Sequence, residues 1–122
     1  MSADKIESWR ELVVWQKAHA AVLEVYRVTK SFPPDERFRL TNQLCRAAAS
    51  IPTNIAEGKG RGSRPEFRQF LIIARGSIEE TRYLLLLAKD LGFLAPEIHA
   101  ALESIYTEIS KMTNALLRSL KP

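Results

Sequence analysis

Two segments in the second half of the chain place apolar residues at alternating steps of four and three. The first runs Phe67, Leu71, Ala74, Ile78, Thr81, Leu85 and Ala88; the second runs Ile98, Leu102, Ile105, Ile109, Met112 and Leu116. That spacing returns side chains to one face of an α-helix and fits a helix packed along a seam. No segment alternates with period two over a strand's length, so β structure is not expected. The flanking residues bound both helices. Ser63 can cap the first, with Pro65 and Glu66 in its first turn, and Gly92 closes it. Ala95-Pro96-Glu97 opens the second. The predicted spans are about 64–91 and 96–120.

The first half of the chain adds two more helices. One is predicted over about 10–31 and has two apolar stripes: Leu12, Trp15, His19, Val22 and Tyr26, and beside it Val14, Ala18, Ala21, Val25 and Val28. Phe32-Pro33-Pro34-Asp35 stops it, because residues before proline leave the helical region. Asp35 is then a suitable N-cap for the next helix. Its apolar series Leu40, Leu44, Ala48, Ile51, Ile55 keeps phase through Pro52, which predicts one kinked helix over about 36–58 rather than two. Pro52 leaves the carbonyl of Ala48 without its donor, and Ser50, Thr53 and Asn54 are near enough for local repair. Gly58 is the expected left-handed C-cap. The fold class is therefore all-α, an antiparallel up-down-up-down four-helix bundle, with residues 1–122 as one domain.

The outer surface of such a bundle bears on assembly. Phe70, Ile73, Ser77, Leu84, Leu87 and Leu91 widen the apolar arc of the third helix to about 160°, more than the roughly 100° a surface helix needs. An exposed apolar face of that kind predicts a homo-oligomer. The N-terminus lacks a cationic start followed by an apolar run, so no secretory signal is expected. The longest unbroken apolar run, 83–88, is far too short to span a membrane. Cys45 is the one cysteine, which excludes an internal disulfide; its alanine-rich surroundings predict a small buried side chain. A cytoplasmic location follows as the expectation.

Catalytic chemistry finds no constellation. His19 and His99 have no cysteine or histidine at ligand spacing, so no metal is expected. The serines lack a nucleophile-elbow pattern. The glycine-rich 58–62 loop has neither a preceding strand nor the Gly-Lys-Ser/Thr ending of a phosphate loop. Glu79 and Glu80 are adjacent and so diverge on a helix, where pairing with Arg75 or Arg82 is expected. The reading is of a non-enzymatic protein without cofactor.

The polar feature that stands out is cationic. Arg61, Arg68, Arg75, Arg82 and Lys89 follow one another at intervals of seven, with Lys59 and Arg64 close to the first. Residues seven apart differ by only about 20° in direction, so the last four form a line along the third helix. The line can follow phosphates, or it can be the charge row that flanks a bundle seam and pairs with neighbouring carboxylates. The surplus of +4 permits an acidic partner without requiring one. No aromatics interleave with these cations, which argues against sequence-specific reading of a single strand. The leading expectation is an oligomer that binds RNA or DNA, structured RNA first, through this basic surface. The alternative is a protein-interaction scaffold with no nucleic-acid role.

Several stretches carry a resemblance. WQKAH, the long block VTKSFPPDERFRLTNQLCRAAASIPTNIAEGKGRGSRPEFRQFLIIARGSIEET, and LAKDLGFL resemble the bacterial four-helix-bundle family encoded by intervening sequences of 23S ribosomal RNA genes. This family is related to retroelement accessory proteins that bind nucleic acid and a reverse transcriptase. The resemblance covers about residues 9–94. It implies a homopentamer with a central passage and gives no established activity. The positions that match its signature are Pro52, Asn54, Glu57, Gly58, Arg61, Ser63, Glu66, Phe67 and Gly76-Ser77. The chain departs from it with Arg39 where glycine is usual, Cys45 where arginine is usual, and Thr53 where serine is common.

Overall fold

The computed structural model describes residues 8–122. Residues 1–7, the start of the N-terminal stretch in which no secretory signal is expected, lie outside the described residues. Four helices follow: α1 (Val13–Thr29), α2 (Leu40–Gly60), α3 (Arg64–Asp90) and α4 (Pro96–Ser119). Each packs on two neighbours, α1 on α2 and α4, and α3 on α2 and α4, so α1 and α3 lie diagonally opposite. Antiparallel packing shows in the cross-helix contacts. Arg64, Arg75 and Arg82 on α3 meet Ser119, Asn114 and Glu103 on α4, one series rising as the other falls. No strand is present among the described residues.

Seam positions bury as the heptads require on α3, where Phe67, Leu71, Ala74, Ile78, Thr81, Leu85 and Ala88 are all in the core. The α2 series Leu40, Leu44, Ala48, Ile51 and Ile55 is also buried throughout. On α1 the stripe Val14, Ala18, Ala21, Val25, Val28 takes the core, leaving His19 and Tyr26 exposed. On α4 the expected line is displaced. Leu102, Tyr106, Ile109, Thr113 and Leu117 are the buried ones, Ile98 is exposed, and Ile105, Met112 and Leu116 are half-buried. A helix held between two neighbours buries an arc rather than a line, so Ile105 faces the α1 side while Tyr106 fills the centre.

Three helix ends differ from expectation. Residues Trp9–Glu11 form a separate 3-10 turn before α1, joined through extended Leu12, and Ser8 Oγ accepts from the Arg10 N–H. Asp35 does not cap α2; Pro34–Glu36 form a 3-10 turn and the helix begins at Leu40. Glu36 is buried, and its carboxylate lies 3.3 Å from the exposed Arg39 three residues on. Gly58 is not a left-handed cap. It lies within α2, which continues to Gly60, and the left-handed residue is Gly62 at φ 87°. Gly92 at φ 82° ends α3 as expected, with its N–H donating to Lys89 O and that of Phe93 to Ala88 O.

Helix α2 passes through Pro52 unbroken. Thr53 Oγ1 donates to Ala49 O at 2.7 Å and Asn54 Nδ2 to Ser50 O at 2.8 Å. These side chains bind the two carbonyls after that of Ala48, not Ala48 itself. Cys45 is buried, with its sulfur 3.6 Å from Thr29 Oγ1. Tyr106 is fully buried and its hydroxyl has no hydrogen-bond partner among the described residues; burial pushes its pKa upward. An unsatisfied buried hydroxyl costs about 1–3 kcal/mol. Tyr106→Phe, which removes it at nearly constant volume, should raise the melting temperature by about 4 °C for about 1 kcal/mol gained in a chain this long. Calorimetry at matched concentration measures that shift.

Candidate nucleic-acid interface

Each residue of the expected basic surface has a definite setting. Arg82 is the most committed: its guanidinium binds Glu103 on α4 and reaches Glu79 at 3.1 Å. The bond to Glu103 holds its proton more firmly. Lys89 lies 3.9 Å from Asp90, and Arg75 donates to the neutral Asn114 Oδ1 at 3.4 Å. Arg61 pairs with Glu57 at 2.7 Å and lies 3.9 Å from Glu66, with its guanidinium over the Phe70 ring. Arg64 donates to Ser119 O at 3.0 Å. Lys59 sits 5.7 Å from the centre of the Phe67 ring, and Arg68 is half-buried. The line therefore divides. Its far half pairs with carboxylates of α3 and α4, as a bundle's charge row does, and its near half gathers at the α2–α3 hinge.

The signature positions hold that hinge. Ser63 Oγ accepts from the Glu66 N–H at 3.3 Å and donates to Glu66 Oε1 at 3.0 Å, a reciprocal cap that starts α3. Gly58 lets α2 approach Phe70 of α3, with Phe67 buried beside it, and Pro52 is buried further back along α2. Ser50 and Ser77 share a hydrogen bond of 2.8 Å, and Asn54 Nδ2 lies 3.0 Å from Ser50 Oγ. Gly76, exposed, has open space where a Cβ would sit.

The antiparallel arrangement brings other cations to the same end. Among the described residues, the half of the bundle holding the hinge carries nine cations: Arg10, Lys59, Arg61, Arg64, Arg68, Arg75, Lys111, Arg118 and Lys121. It carries only three carboxylates, Glu11, Glu57 and Glu66. The opposite half has seven cations (Arg27, Lys30, Arg37, Arg39, Arg46, Arg82, Lys89) and eight carboxylates (Glu24, Asp35, Glu36, Glu79, Glu80, Asp90, Glu97, Glu103). The Lys17–Glu108 pair, at 2.8 Å, sits near the divide. Because α4 antiparallel to α3 delivers its basic C-terminal turn to the hinge, this clustering depends on topology and no local motif announces it. A recess of about 360 Å³ opens there, lined by Leu12, Phe67, Leu116 and Leu120, with Lys59, Ser63 and Arg64 also around it. No group of three or more metal-ligating side chains occurs among the described residues, and none of their helices is long and apolar enough to cross a membrane.

These features define an all-α four-helix-bundle protein with one basic end. The chain belongs to the 23S rRNA-intervening sequence protein family, whose sequence model matches residues 10–115. It is also similar to a crystal structure of a protein of unknown function from the S23 ribosomal protein family of Bacteroides thetaiotaomicron. The two share 26% identity at a TM-score of 0.80, over 87% of this chain and 96% of that one. None of the curated proteins matches the chain.

Proposed function

We propose that this chain is a non-enzymatic, cytoplasmic protein that self-assembles and binds structured RNA through phosphate contacts at its basic end. The observation that carries the reading is the excess of nine cations over three carboxylates in the hinge half, against near balance in the other. Such a field attracts a polyanion and aligns it on one end of the molecule. Assembly rests on a separate feature. The outer face of α3 exposes Ile72, Ile73, Tyr83, Leu86 and Leu91, and diagonally across the bundle α1 exposes Leu23 and Tyr26. Two different apolar faces on opposite sides favour a head-to-tail ring, the geometry that the family resemblance implies as a pentamer.

A labelled RNA hairpin titrated at rising salt tests the RNA reading. With about four phosphates neutralised, affinity should fall roughly a hundredfold between about 50 and 200 mM salt. Lys59→Gln combined with Arg68→Gln and Arg118→Gln should weaken binding roughly tenfold and flatten the salt slope. Arg82→Gln should lower the melting temperature and leave RNA affinity unchanged, since its guanidinium is held by Glu103. Binding that ignores salt, or that Arg82→Gln alone abolishes, would overturn the basic-end assignment.

A further inference from the structure

We infer that the ring ladder running from the 3-10 turn onto α1 is a stacking site for an unpaired base; this rests on the nucleic-acid reading above. The extended backbone of Leu12 folds the 3-10 turn back, so the Trp9 ring lies 4.7 Å from that of Trp15 at 60°. The Trp15 ring in turn lies 5.1 Å from the His19 ring, nearly parallel at 6°. At the other end, the Arg10 guanidinium sits 4.3 Å over Trp9. Trp9 and Trp15 are half-buried and fix the ladder to the bundle, while His19 is exposed and ends it at solvent. A flat ring stacked on an anchored indole and open on its far side is suited to a nucleobase, since every base presents a π-face. Charge complementarity favours the same occupant. Leu12, between Trp9 and Trp15 in the chain, lines the recess shared with Lys59 and Arg64, which puts the Trp9 end of the ladder next to the basic end. The aromatic partners missing from α3 thus come from α1, where sequence spacing aligned Trp15 and His19 but gave no sign of Trp9 folding back.

Trp9 and Trp15 are the only tryptophans, so selectively excited tryptophan emission reports on the ladder alone. The probes are a short mixed-sequence single-stranded RNA and a blunt RNA duplex of equal length, with binding followed separately by anisotropy. The single strand should quench the emission and the duplex should bind without quenching it. His19→Ala should weaken the single strand roughly tenfold and leave the duplex unchanged, and His19→Phe should restore the single strand, because stacking needs a ring and not the imidazole nitrogens. Single-strand binding without quenching, or equal losses for both probes in His19→Ala, would overturn the ladder and leave the phosphate reading standing. If neither probe binds, both fall.

Discussion

Gly58→Ala should lower the melting temperature by about 4–8 °C, corresponding to about 1–2 kcal/mol in a chain of this size. A Cβ at position 58 would lie 2.5 Å from Phe70 Cβ and 3.3 Å from Phe67 Cδ1. The nearer atom is the root of a side chain on α3, so no rotamer change relieves the contact and the two helices must move apart. Overpacking of this kind costs about 1–3 kcal/mol and occasionally more. The better helix propensity of alanine returns up to about 1 kcal/mol, but here α2 and α3 meet at their hinge and separation also loosens Ile55 and Phe67. Gly60→Ala is the internal comparison. It lies two residues on, at the end of the same helix, with nothing among the described residues within 4 Å of its would-be Cβ. It should be neutral or stabilising by up to about 1 kcal/mol. Equal melting temperatures for the two variants would show that close approach is not why glycine stands at position 58.

That pair also shows how far the sequence could be read. A glycine ahead of Lys59-Gly60-Arg61-Gly62 looks like a helix cap, and only the distance to Phe70 reveals a packing glycine; the left-handed role falls to Gly62. The α3 seam was legible because its heptads leave one phase open. On α4 two phases compete: Ile105 and Met112 keep the heptad spacing, while Tyr106 and Thr113, one residue on, are the ones buried. Hydrophobicity alone favours isoleucine and methionine over tyrosine and threonine, but the bundle's geometry decides otherwise. The basic line was legible as a periodicity on α3. Its division was not, because Glu103 and Asn114, which take up Arg82 and Arg75, lie on another helix. The basic end likewise depends on α4 returning Arg118 and Lys121 to the hinge.

On the proposed assembly, Tyr83→Glu combined with Leu86→Glu should leave a folded monomer of 13.8 kDa by light scattering, with helical circular dichroism retained. Both side chains are exposed on the outer face of α3, at 59% and 40%, so neither supports the protomer's own core. Burying each large apolar side chain between protomers contributes about 1.5–3 kcal/mol. Replacing two of them with carboxylates also places charge beside Glu79, Glu80 and Asp90. A combined loss of about 4 kcal/mol is close to a thousandfold in the association constant. The opposite face supplies the second arm. On α1, Arg27 and Lys30 flank Leu23 and Tyr26, and this half of α1 lies at the same end of the bundle as Tyr83, Leu86 and Asp90 of α3. A head-to-tail contact would set these two apolar faces against each other at one level of the bundle, and Leu23→Glu should then disperse the assembly as thoroughly as the α3 pair does. If the α3 variant is monomeric while Leu23→Glu remains assembled, the contact joins α3 to α3 about a two-fold axis, and a ring of odd number is excluded. A wild-type protein that scatters as a monomer at micromolar concentration would remove the assembly half of the proposal and leave the basic end to act one chain at a time.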